Sequence, residues 1–298
     1  MLPASRGAST HAQRPFPRCP SRATGRQHTH KSCCGSSTGV ARSHSAPLLQ
    51  AGEFFAGRTA AVLWSLPVTL AEAAPASLEI AAISQAPVQR VHAQRARRVA
   101  PSLVRTRSLH GVPVTDPATT WAMLAPELRP SDAVAPGDAA VWRPRFPGTT
   151  RLVRPPLATL AELAAAAATP YRRGGRVLRG LLPLLSTQSA SPPESHLRLR
   201  LAAWGAPQPH LDYDVRAAGG RLLGCSEIAF PQFRVALEYE GGHHFSQARQ
   251  FARDIEKYQS YAEHGWQVLR ITSRLLYGEP EELRRQVFAT LRRRGWAP

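Results

Sequence analysis

The chain has 298 residues, 43% of them apolar, which is enough for the packed core of one or two domains and too many for a wholly disordered protein. No stretch approaches the roughly 18 consecutive apolar residues that span a bilayer, so no membrane partner is expected. Basic residues number 38 against 20 acidic ones, only Lys31 and Lys257 among them being lysines, and a net charge of +18 favours a polyanionic partner.

Residues 1–48 carry no hydrophobic period and many Ser, Gly, Pro and Arg, and read as a disordered basic arm. The arm lacks a continuous apolar stretch of the secretory type, which makes the cytoplasm the expected compartment. Its Cys19, Cys33 and Cys34, with His28 and His30, follow no standard zinc-ligand spacing, and with Cys225 they form no disulfide framework.

Residues 49–190 read as a mixed, mostly helical region. Arg58–Leu66 is a helix candidate, Leu78–Ile83 a strand, Ala118–Ala125 a helix, Leu157–Ala168 an Ala-rich helix, and Arg172–Leu185 a helix with one basic side. Between them, residues 126–156 hold seven prolines and no clear period, and read as a linker or an insertion of no defined structure.

Residues 191–298 are the most legible part, and 12 of the 20 acids lie in them. Ser191-Pro-Pro-Glu194 is a capping-box start, opening a helix that Gly205 stops near Trp204. A hairpin of His210–Arg216 and Arg221–Phe230 follows, then a turn at Pro231–Phe233 and a strand Arg234–Glu240. A helix over about 246–263, a strand Trp266–Thr272 and a helix Pro280–Arg293 complete the order αβββαβα.

Side chains alternate along a strand, so Glu238 and Glu240 share one face and begin roughly 6.6 Å apart, while Val235, Leu237 and Tyr239 take the other. Pairing through the Pro231–Phe233 turn brings Glu227 alongside. Three neighbouring carboxylates repel one another unless a cation lies between them, and hard oxygen ligands select Mg²⁺ or Mn²⁺ over Zn²⁺. Arg249, Arg253 and Lys257 either line a phosphate path or decorate the helix they sit on.

The segments Glu227-Ile-Ala-Phe-Pro231, Val235-Ala-Leu-Glu-Tyr-Glu-Gly-Gly-His-His244, Arg253-Asp254 and Gly265-Trp-Gln-Val-Leu-Arg270 resemble the endonuclease-like domain of many actinobacterial proteins of unknown function. That group is related to the very-short-patch-repair endonucleases and the PD-(D/E)xK nucleases. Upstream, Arg58-Thr-Ala-Ala-Val-Leu-Trp and Gly111-Val-Pro-Val-Thr-Asp-Pro-Ala118 resemble the segment preceding that domain, which commonly continues an antitoxin-like winged helix, here truncated.

The resemblance implies an α/β (α+β) chain with a C-terminal restriction-endonuclease-like αβββαβ core and mixed sheet. It implies metal-binding acids at Glu227, Glu238 and Glu240, a helical acid at Glu194, and catalytic work by Glu227, Glu238, Glu240 and His244. The family usually carries Asp where Glu227 stands and often where Glu240 stands, and Glu240 occupies the place of the motif lysine. The expected function is a Mg²⁺-dependent DNA endonuclease. The alternative is a non-catalytic DNA-binding regulator or antitoxin-like protein on a decayed nuclease fold.

Overall fold

The computed structural model describes residues 49–68, 78–83, 94–241 and 248–298, with the side chains of 94–96 and 248–252 excepted. The basic arm over residues 1–48 and His244 lie outside the described residues, as does the side chain of Arg249. The chain is a mixed α/β protein with two mixed sheets.

The first sheet is built from β1 (Glu53–Phe55), β2 (Leu78–Ile83), β3 (Gln94–Val99), β4 (Thr106–Leu109) and β5 (Val112–Thr115), in the order β3-β2-β1-β5-β4. Helix α1 (Gly57–Leu63) lays Ala60 on a face made by Phe55, Ile80, Val112 and Val114. Phe54, Ala56 and Ala81 turn to the opposite face. A sheet of this size is more than the mostly helical reading allows for. Its strands are three to six residues long, and the basic ones, such as β3, lack the apolar alternation by which a strand is recognised.

Helices α2 (Pro117–Leu124), α3 (Pro130–Val141), α4 (Leu160–Ala168) and α5 (Gly175–Leu181) then form a helical core around Trp121, Val134, Leu163 and Leu178. Helix α3 corrects the reading of residues 126–156 as a linker. It contains Pro136 and Gly137, both poor helix formers, yet eight of its twelve residues are buried. Gly137 is required by close approach: a Cβ there would stand 2.8 Å from Nε1 of Trp121. The same indole donates to the Ala133 carbonyl at 3.0 Å, so packing on Trp121 overrides propensity.

The C-terminal elements follow the expected order: α6 (Pro192–Ala203), β6 (His210–Arg216), β7 (Leu222–Phe230), β8 (Val235–Glu240), α7 (Ala248–Glu263), β9 (Gln267–Thr272) and α8 (Pro280–Arg293). Their sheet runs β6-β7-β8-β9, antiparallel except for the parallel β8–β9 pair that α7 connects. Leu237 and Tyr239 of β8 join Leu197 and Leu201 of α6 and Leu283, Val287 and Leu291 of α8 in one core cluster. Ala236 of the same strand joins Tyr261 of α7 and Trp266 in another. Strand β8 is thus covered on both faces.

The two halves are joined by buried charge. Asp138 of α3, 1% exposed, accepts hydrogen bonds from Ser195 Oγ (2.7 Å), Arg198 Nη2 (2.9 Å) and the Ser186 backbone N–H (2.6 Å). Burial raises its pKa, against the pull of Arg198 and the hydrogen bonds. Arg145, just beyond α3, donates from Nε to Asp212 (2.6 Å) and from Nη1 to Asp214 (2.9 Å) on β6. His196 of α6 meets the Tyr277 hydroxyl at 3.0 Å and Asp132 of α3 at 3.4 Å.

Two outcomes follow from this seam. Asp138→Ala strands Arg198 and two further donors, and is expected to cost about 3–5 kcal/mol, read as a lowered denaturation midpoint. Burial holds the His196 imidazole below its ordinary pKa, with Arg200 acting in the same direction and Asp132 against. The unfolded chain therefore takes up that proton first, so the stability His196 contributes is present above about pH 6.5 and lost as pH falls below it. His196→Gln is expected to flatten that part of the Tm-against-pH curve.

Candidate functional site

The register between β7 and β8 pairs Ala229 with Ala236, and one alternation further along the same face stand Glu227 and Glu238. Glu227 is held in place by its own strand partner: Oε2 accepts the Tyr239 backbone N–H at 2.8 Å. Glu238 is only 4% exposed, because α7 crosses over it.

The cation that makes this burial tolerable comes from α7. Lys257 Nζ lies 3.0 Å from Glu238 Oε2 and donates to the Cys225 carbonyl at 3.2 Å. Burial by itself would lower the ammonium pKa, but Glu238, then Glu227 and Asp254, outweigh it and the net shift is upward, so Lys257 is charged. Its approach depends on Gly224 of β7, where a Cβ would meet the Lys257 stem and the Tyr261 hydroxyl at 3.0 Å. The other oxygen of Glu238, Oε1, is buried with no hydrogen-bond partner among the described residues.

Glu240 sits at the rim and is tied differently, accepting from Arg270 Nε at 2.8 Å and from the Tyr258 hydroxyl at 3.2 Å. The Glu240 hydrogen bond also holds the Arg270 pKa up. Burial and then Glu238 push the Tyr258 and Tyr261 hydroxyls far above the ordinary tyrosine range, so both phenols stay neutral; that of Tyr258 donates to Glu240, and that of Tyr261 has no hydrogen-bond partner among the described residues. The result is a graded array: two carboxylates and an ammonium inside, a carboxylate and guanidinium at the edge, and tyrosines between.

Three contributors to this array escape the sequence reading. Asp254 enters there only within the Arg253-Asp254 segment of the resemblance and without a role, yet its charge acts on Lys257, Tyr258 and Arg270. Tyr258 and Arg270 are the other two. The signal available was the spacing 254, 257, 258 and 261 along α7, which puts all four on one helical stripe. Lys257, read as lining a phosphate path or decorating its helix, lies in the carboxylate cluster.

Glu194 is engaged elsewhere. It starts α6, where Oε2 accepts the Ala190 N–H at 2.9 Å and Oε1 accepts the Ser191 hydroxyl at 2.8 Å, a cap in which both oxygens take part. Arg253 is exposed on α7. Among the described residues no group of three or more His, Cys, Asp or Glu side chains is close enough to form a metal cage. No described helix is long and apolar enough to cross a membrane.

No model of a known protein family matches the chain, and no solved structure matches it. Two curated relatives do, both uncharacterized proteins of Mycobacterium tuberculosis from different strains. Each is 30% identical to this chain over 180 residues, covering 60% of this chain and 62% of the relative. The chain therefore spans about three-fifths of the length of the curated relatives it matches.

The Lys257–Glu238 pair yields a direct test. Lys257→Met leaves a buried carboxylate without its counter-ion and is expected to destabilise the fold by about 3–5 kcal/mol. Combining it with Glu238→Gln removes the orphaned charge, and chemical denaturation should show most of that loss recovered.

Proposed function

We propose that residues 191–298 form the catalytic unit of a Mg²⁺- or Mn²⁺-dependent DNA endonuclease with a restriction-endonuclease-like core, acting in the cytoplasm. The observation that carries this reading is the convergence of Glu227, Glu238 and Lys257 on one sheet face, with Glu238 Oε1 buried and without a hydrogen-bond partner among the described residues. A buried carboxylate oxygen without a donor is costly, and a divalent cation held there would remove that cost. The donor set is all oxygen, which suits a hard divalent ion. Glu227 and Glu238 are the residues that would hold it, and Mg²⁺ or Mn²⁺ bound there supplies Lewis-acid polarisation of a phosphodiester and an acidified water.

In this reading the chain's own groups divide the remaining work. Lys257, fixed by Glu238 and the Cys225 carbonyl, presents its ammonium where charge develops on the scissile phosphate. Glu240 steadies Arg270 and Tyr258 at the rim, where a phosphate backbone passes. His244 is the proton acceptor for the attacking water. Arg249 and Arg253 extend the phosphate path along α7.

One observation favours the second reading, a DNA-binding protein without catalysis: Lys257 already neutralises Glu238. A cleavage assay on supercoiled plasmid with Mg²⁺ or Mn²⁺ separates the two. The expected outcome is nicking by the wild type and a loss of at least about 100-fold in Glu238→Gln, whose amide oxygen still accepts from Lys257 and keeps the fold. Full cleavage by Glu238→Gln overturns the catalytic assignment. DNA binding that weakens steeply with salt, together with no cleavage by the wild type, supports the second reading.

A further inference from the structure

Far from the carboxylate cluster, the loop between α4 and α5 has the sequence Thr169-Pro-Tyr-Arg-Arg-Gly-Gly175. It is tied at both ends, by the Arg172 N–H to the Thr169 carbonyl and the Gly175 N–H to the Arg172 carbonyl. At its tip Tyr171 is fully exposed and sits at φ +61°, in the left-handed region that side-chain-bearing residues rarely adopt. Glycine would occupy that position without strain. A stiff loop thus holds a bare phenol ring in water at a cost in backbone energy, a combination that folding does not require.

The two residues that follow Tyr171 line a cavity of about 140 Å³ between β3, the C-terminal end of α2 and the loop itself. Its walls include the apolar Val99 and Met123, and its charged groups are Arg97, Arg172 and Arg173 against Glu127 alone. Arg172 turns inward to donate to the Leu103 carbonyl at 2.5 Å, but its Nε is buried with no hydrogen-bond partner among the described residues. Burial lowers the Arg172 pKa, and the charge of Asp116 opposes that only in part. Among the described residues Arg97 has only a long ion-pair contact to Glu79, at 3.9 Å. Arg173 is exposed, with no ion pair among the described residues.

We propose that this loop and cavity bind one nucleotide unit of single-stranded DNA, with Tyr171 stacking on the base and Arg97, Arg172 and Arg173 holding its phosphate. An aromatic face joined to a guanidinium cluster is how unpaired bases and their backbone are gripped without sequence readout. The bases of a duplex are stacked on each other and offer no free face to a tyrosine, and the cavity is too small to admit a base pair. The inference rests on the loop and cavity alone and does not require the carboxylate cluster to be catalytic.

The test uses the full chain and a fluorescein-labelled oligothymidylate of about twelve nucleotides, read by anisotropy. Tyr171→Ala is expected to weaken binding by about 5- to 100-fold, as loss of one stacked base predicts, while Tyr171→Phe binds as the wild type does. Arg173→Ala should weaken binding and lessen its salt dependence. Tyr171→Gly separates binding from folding: it relieves the strain, so its melting temperature should rise while its affinity falls. Photocrosslinking with an iododeoxyuridine-substituted strand should label Tyr171. The binding assay is run in EDTA, where no metal-dependent cleavage occurs, so a failure of the nuclease reading leaves this one standing. Binding by Tyr171→Ala within twofold of the wild type, or an equal loss of affinity for duplex and single strand, overturns the proposal.

Discussion

Glu238 occupies a strand covered on both faces, where an isolated carboxylate is expensive, and much of the C-terminal half is arranged around compensating it. The compensating ammonium comes from α7, the helix packed over that face, although Arg270 of β9 is the register partner of Glu238 and turns to Glu240 instead. Gly224 leaves room for the Lys257 stem, which a Cβ there would approach to 3.0 Å. With Lys257 pointing at the sheet, Tyr258 and Tyr261 follow on the same stripe, and Tyr258 reaches Glu240. The acids thus repel one another less than a bare carboxylate trio would, since a protein cation already sits among them.

Among the described residues the pair leaves one oxygen of Glu238 without a hydrogen-bond partner. A structure that buries an acid, neutralises half of it and orphans the rest is poised for a further positive charge, which is the physical content of the nuclease proposal. The second buried acid, Asp138, behaves differently. Both of its oxygens are engaged, by Ser186 on one and by Ser195 and Arg198 on the other, and it serves as a seam between α3 and α6. Comparing the two shows what separates a structural buried carboxylate from a candidate site: completeness of the hydrogen-bond shell.

The positive charge is distributed to match two tasks. Near the cluster, arginines are paired, as Arg270 is with Glu240. Around the loop at Tyr171, acids are scarce and the guanidinium groups lie open or half-satisfied. A surface of the second kind attracts polyanions over a distance, whereas the first holds charge in fixed geometry for local chemistry.

The order and extents of the elements from Ser191 onward were legible because each carries its own local signal. Ser191 and Glu194 cap a helix, β8 alternates, and Gly205 and Gly265 end helices, so the shared face of Glu238 and Glu240 followed from strand parity, and the turn at Pro231–Phe233 brought Glu227 alongside. Chain order could not reveal that Lys257 lies against Glu238, since nineteen positions separate them and only the packing of α7 on the sheet sets the distance. Glu240 looked equivalent to Glu238 by parity, and only the tertiary surroundings send it to Arg270 and Tyr258. Upstream, the sequence determined α1, α2, α4 and β2 through apolar periodicity, but it misrepresented α3. A helix containing Pro136 and Gly137 is held by burial against Trp121 and by the Asp138 seam, and those interactions exist only once distant residues have come together.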